Sequence, residues 1–170
     1  MDGTYASVGR PGWQVIGKAK GVEKVAGMYI LETKRWPMFF ADTTVNVDPT
    51  AEEIVAIAEL TAEAVRRLRI VPRMALLSYS NFGSAQGAGA SKMAQAAAIL
   101  KERHPDLIVD GEIQANFALN DELLSESFPF STLHKRQVNT LIFPNLSAGN
   151  IAYKLLQEMA GIQAQGPVLL

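Results

Sequence analysis

From Pro72 to Leu170 the hydropathy pattern alternates strand, helix, strand, helix, strand, helix, strand. That order constrains the fold more than any other feature. "RMALLSYS" is an apolar strand, and a small-residue loop leads from it into a helix over about Ser91 to Arg103, stopped by Pro105. "DLIVDGEI" is the next strand, "NDELLSES" a short capped helix and "VNTLIFPN" a third strand. "LSAGNIAYKLLQEMAG" then gives a well-patterned helix that Gly161 is placed to terminate, and "GPVLL" begins a further strand. Alternation of this kind predicts parallel βαβ units, a mostly parallel sheet with helices on both faces.

Upstream, "VAGMYILE" (Val25–Glu32) and "PMFFADTTV" (Pro37–Val45) read as strands joined through "TKRW", a β-hairpin near the N-terminus. A helix follows with two competing starts: Asp48 as cap with Pro49 in the first turn, or a capping box of Thr50 and Glu53. Ile54, Ile57, Ala58, Thr61, Val65 and Leu68 fall on one stripe of it. Residues 1–22, rich in glycine and polar residues, read as a connecting segment, and 23–170 as one α/β unit. A chain that stops as a buried strand begins reads as a fragment.

With 48% apolar and 19% charged residues the chain is globular, and a formal net charge of −1 gives no electrostatic reason to expect nucleic acid or an anionic membrane. The absence of cysteine excludes disulfides, thiolate catalysis and sulfur-ligated metal. No apolar run approaches the ~18–20 residues that span a bilayer, and "MDGTYASVGRPGW" lacks a signal-peptide pattern. A cytoplasmic location is expected.

In a parallel sheet ligands gather where strands end and helices begin. Ser78–Ser84, Asp110–Gln114 and Phe143–Asn150 stand at such places. Gly83, Ser84, Gly87 and Gly89 suit a phosphate at a helix N-terminus, or equally a connection that lets helix and sheet pack closely. Neither formal phosphate motif is met: Ala88 and Gly89 replace the Gly-Lys of a P-loop, and Lys92 the third glycine of a dinucleotide fingerprint. "SYSNFGS" is no nucleophile elbow, and His104 and His134 read as a helix-end charge and a solvated turn residue, so no triad is expected. Asp42, Asn46 and Asp48 could offer oxygen ligands to a hard cation, but turn and cap duties explain them better and no metal site is expected. Asp110 and Glu112 are either an acid–base pair or turn and helix-start charges.

Taken together, "FFADTTVNVDPTAEEI", "LLSYSNFGSA", "IVDGEIQANFAL" and "NTLIFPNLSAGNIAYKLLQEMAG", closed by "GPVLL", resemble the second half of the phosphate acetyl/butyryl transferase (phosphotransacetylase) family. Order and spacing agree from about Val15 to Leu170. "SNFGS" (Ser80–Ser84), "FPFST" (Phe128–Thr132) and "FFADTT" are most similar to the branch fused to the C-terminus of bacterial bifunctional NADP-dependent malic enzymes. Thr43 stands where transacetylases commonly carry cysteine, Asn116 where an aspartate is usual and Ser147 where an acidic residue is usual.

The resemblance implies the second lobe of a two-lobed α/β fold related to isocitrate dehydrogenase, with CoA or acetyl-CoA in the cleft between lobes and a homodimer or higher homo-oligomer. It implies a domain that senses acetyl-CoA for a malic enzyme oxidising malate to pyruvate, with NADP and divalent metal confined to an upstream domain. The alternatives are a fragment of a phosphate acetyltransferase and a dimerisation module. The family's arginines and Ser-Arg pair fall outside the matched blocks, so no catalytic residue carries over to this chain. Ser80, Asn81, Gly83 and Ser84 are the expected lining of the acyl-CoA or acetyl phosphate cleft, with Asp42, Thr43 and Gln114 beside them.

Overall fold

The computed structural model describes residues 25–170; the connecting segment expected over 1–22 lies outside them. Six strands form one sheet in the order β4-β3-β5-β2-β1-β6. They are β1 (Gly27–Glu32), β2 (Pro37–Ala41), β3 (Arg73–Leu77), β4 (Ile108–Ile113), β5 (Thr140–Ile142) and β6 (Gln163–Leu169). The helices are α1 (Ala51–Arg67), α2 (Ala88–Arg103), α3 (Ala115–Ala118), α4 (Asp121–Ser127) and α5 (Leu146–Ala160). β4, β3, β5 and β2 run parallel, whereas β2, β1 and β6 are joined antiparallel.

The hairpin forms as the sequence predicts, with Met28 opposite Ala41 and Glu32 opposite Pro37. Thr33 closes its connection: its hydroxyl donates to the Trp36 carbonyl at 2.6 Å and accepts from the amides of Arg35 and Trp36. The last strand differs from expectation in length and place. It starts at Gln163 and pairs with β1 at the sheet edge, Gly27 against Leu169 and Glu32 against Gln163. Both sides of β5 are already taken, by β3 and β2, so β6 has no parallel slot beside its predecessor.

Period-two alternation divides the sheet between two cores. Phe39, Met74, Leu76, Val109 and Ile142 pack on one face against Ile54, Ala58 and Val65 of α1 and Met93, Ala97 and Leu100 of α2. Phe40, Ala75, Leu77, Ile113 and Leu141 pack on the other against Ala118, Leu124 and Tyr153 of α3, α4 and α5. Helices therefore cover both faces, as the alternation requires.

At α1 the capping box prevails. The Thr50 hydroxyl accepts from the Glu53 amide, and the Glu53 carboxylate accepts from the Thr50 amide. Asp48 is thereby left outside the helix. The α2 helix begins at Ala88, three residues before the predicted Ser91, since small residues that read as loop in the sequence are helical here. Asn145 caps α5 through the Ala148 amide at 2.9 Å, and Gly161 ends it in the left-handed region at φ 62°.

Candidate functional site

The chain leaves β3 through α2 onto one face of the sheet and leaves β5 through α5 onto the other. Strand order reverses between these two neighbours, and a crevice opens at their carboxyl ends by the geometry that places ligands in open α/β sheets. A cavity of about 670 Å³ lies there. Leu77, Ser78 and Tyr79 after β3, and Phe143, Pro144 and Asn145 after β5, form two walls. Asp48, Pro49 and Thr50 before α1, Ala88, Gly89 and Lys92 of α2, Ala115 of α3 and Ala148 of α5 form the rest. This size falls inside the range of about 300–1,000 Å³ typical of small-molecule sites, and most of the lining is apolar.

Lys92 is the cationic side chain of this wall among the described residues. Its ammonium donates to the Pro144 carbonyl at 2.7 Å and to Asp48 Oδ1 at 3.2 Å. The Lys92 side chain is 16% exposed and that of Asp48 83%. Tyr79 closes the neighbouring loop upon itself, its hydroxyl donating to the Gln86 carbonyl at 3.1 Å. A Cβ on Gly87 would lie 2.1 Å from that hydroxyl, and Gly87 sits at φ 147°, so only glycine fits beneath the tyrosine.

The residues expected to line the cleft occupy the same edge of the sheet, with most of their polar atoms turned to the protein. Buried Glu112 organises the loop: its Oε1 accepts from Ser80 Oγ at 2.9 Å and the Gly83 amide at 2.6 Å, and its carbonyl accepts from the Phe82 amide. Ser84 Oγ accepts from the Asn81 amide at 2.9 Å, and Asn81 Oδ1 from the Gln114 amide at 2.8 Å. Gln114 Nε2 donates to the Tyr79 carbonyl at 2.8 Å. Asp42 is buried, and its carboxylate accepts from the amides of Gly27, Thr44, Val45 and Asn46. Thr43 is fully buried, its hydroxyl 3.5 Å from the Gly27 carbonyl. Ser84 and Gly83 are the exposed members of the set.

Asp110 and Glu112 serve separate networks. Asp110 is buried against Ser131 Oγ at 2.8 Å and the Thr132 amide at 3.0 Å, and pairs with Lys101. His104 sits at the end of α2, 2.8 Å from Glu59. His134 does lie in a turn, but it is half-buried, and its Nδ1 is enclosed without a hydrogen-bond partner. Sequence reasoning missed Lys92 as a site residue. No local signal marked it, because Lys92 stands in the second turn of α2 and its partners are 44 and 52 positions away in sequence.

Comparison with known proteins follows this geometry. The sequence profile of the "Phosphate acetyl/butaryl transferase" family matches residues 1–170. An NADP-dependent malic enzyme of Haemophilus influenzae is 42% identical over 156 residues, 92% of this chain and 20% of that protein. A phosphate acetyltransferase of Clostridium acetobutylicum is 39% identical over 166 residues, 94% of this chain and 50% of that protein. The crystal structure of a phosphotransacetylase from Streptococcus pyogenes superposes with a TM-score of 0.86 at 34% identity, covering 99% of this chain and 51% of that one. The chain thus spans about half the length of the transacetylases it matches and about a fifth of the malic enzymes.

Proposed function

The chain belongs to the phosphate acetyl/butyryl transferase family, and from that premise we propose that it is an acyl-CoA-binding domain with a regulatory role in an NADP-dependent malic enzyme. The switch-point cavity carries this reading: it joins a largely apolar wall to the fixed ammonium of Lys92, a combination suited to an acyl thioester arm bearing phosphate. Ser80, Asn81, Gly83, Ser84 and Gln114 serve that ligand as the frame holding Ser78 and Tyr79 in place. Asp42 and Thr43 fix the end of β2.

Two observations favour regulation over catalysis. The position commonly held by cysteine in transacetylases is Thr43, whose hydroxyl is enclosed beside a backbone carbonyl. The similarity to malic enzymes extends over 92% of the chain at 42% identity. NADP and a divalent metal belong, on this reading, to a separate malic-enzyme domain in the same cytoplasmic protein. The second reading, part of a phosphate acetyltransferase moving acetyl between CoA and phosphate, is favoured by the 39% identity to the clostridial enzyme.

Calorimetric titration of acetyl-CoA into the 170-residue chain tests the site. Saturable binding is expected, reduced by Ala88→Trp, which fills the cavity, and by Ser84→Tyr, which removes the acceptor of the Asn81 amide and so disturbs the loop after Tyr79. Absence of heat at millimolar ligand would remove the acyl-CoA reading. Release of acetyl-CoA from acetyl phosphate and CoA by the same chain would favour the transacetylase over the regulatory domain.

A further inference from the structure

We infer that Lys92 is the phosphate-binding residue of the switch-point cavity and that Asp48 is its internal competitor; the identity of the ligand rests on the acyl-CoA reading above. An ammonium has three N–H donors. The Pro144 carbonyl takes one at 2.7 Å and Asp48 takes another at 3.2 Å, so among the described residues the third has no protein acceptor. The two contacts are unequal in kind. Both residues border the cavity, but the Pro144 acceptor is a backbone carbonyl, which fixes the position of the nitrogen. Asp48 is 83% exposed on the segment before α1, and the capping of that helix belongs to Thr50. An ion pair exposed on one side contributes about 0–1 kcal/mol.

A phosphate presents more charge and more acceptor oxygens than one carboxylate, so it displaces Asp48 while the Pro144 contact stays. Lys92 also gains nothing locally from its position. It lies in the second turn of α2, whose first turn holds no acidic residue, so its own helix supplies no anion to pair with it there. The Lys92 side chain is only 16% exposed, so most of it is packed within the wall.

The test measures affinities of acetyl-CoA, acetyl phosphate and pantetheine for the 170-residue chain and its Lys92→Met, Lys92→Arg and Asp48→Asn variants. Loss of one charge-assisted contact predicts that Lys92→Met weakens a phosphate ligand about tenfold or more. Lys92→Arg retains part of that affinity, and pantetheine, which has no phosphate, binds all forms alike. Removing the competitor predicts that Asp48→Asn tightens the phosphate ligand about twofold to fivefold. An effect confined to acetyl-CoA assigns the group to CoA, and one confined to acetyl phosphate assigns it to the acyl phosphate.

Unchanged affinity in Lys92→Met overturns the proposal and leaves the acyl-CoA reading intact. Weaker binding in Asp48→Asn also overturns it, because Asp48 would then be a partner of the ligand. Acetyl phosphate binding that depends on Lys92, with no binding of acetyl-CoA, upholds Lys92 and removes the acyl-CoA reading. Should Lys92→Met fail to fold, the opposite sign expected for Asp48→Asn still decides.

Discussion

The rings of Phe82 and Phe128 meet edge to face with their centroids 5.1 Å apart. The two belong to "SNFGS" and "FPFST". In the fold they are parts of one cluster, with Phe130 5.1 Å from Phe82 and Phe117 5.1 Å from Phe128. Phe82 holds a left-handed backbone at φ 47°, a conformation that costs a non-glycine residue about 1 kcal/mol or more and that the ring packing offsets. A double-mutant cycle of Phe82→Ala and Phe128→Ala is expected to give a coupling of about 0.5–1.5 kcal/mol. Additive denaturant-unfolding energies would show that the rings act independently.

Glu112 holds the loop from the inside. Replacing it with alanine leaves the Gly83 amide without the acceptor it has now and removes one partner of Ser80. A buried donor left unmatched costs about 1–3 kcal/mol. Glu112→Ala is therefore expected to lower the urea midpoint and to speed exchange of the Gly83 amide. Glu112→Gln, which keeps a carbonyl acceptor, should do less of both. Equal effects from the two variants would assign the stabilisation to charge instead of the hydrogen bond.

The two starts proposed for α1 are distinguishable by stability. Thr50→Ala removes the hydroxyl that accepts from Glu53 and should cost about 1 kcal/mol. Asp48→Ala, at an exposed residue outside the cap, should stay within about 0.5 kcal/mol. Thermal unfolding of both variants checks this, and a larger loss from Asp48 would reverse the assignment.

Ile151, Leu155 and Met159 recur every four residues along α5 and are all exposed, Met159 to 82%. A helix with an apolar stripe facing water invites a partner, and the homodimer expected of this chain would bury it. Sedimentation velocity should find concentration-dependent self-association that Leu155→Lys abolishes, with unfolding stability changed by no more than about 0.5 kcal/mol. A monomer at all concentrations would place the covering surface elsewhere.

Most elements were legible because local forces write them. The stripe on α1, the stop at Gly161, the short capped helix opened by Asn120 and the hairpin through Thr33–Trp36 all depend on neighbours a few residues apart. The short helix α3 was missed, being a single turn after Gln114 with no side-chain cap to announce it. The start of α2 was misplaced because Gly87 and Gly89 weaken the helical signal of Ala88 and Ala90. The rule that strand ends in a parallel sheet face a crevice pointed to this edge, where Ser78, Tyr79, Phe143, Pro144, Asn145 and Ala148 line the cavity, whereas Ser80–Ser84 and Asp110–Gln114 are not part of its lining.

Sequence alone determined the alternation, the two buried faces and the family, because periodicity and long ordered motifs survive without coordinates. Only the tertiary structure decided which polar groups remain for a ligand. Ser80 and Lys92 are both polar residues near the same loop, yet Ser80 is consumed by a glutamate 32 positions away, while Lys92 reaches a carbonyl 52 positions away and keeps a donor to spare. Hydrogen bonds saturate within about 3 Å, and which atoms come that close is set by strand order, a long-range property that no window of sequence contains.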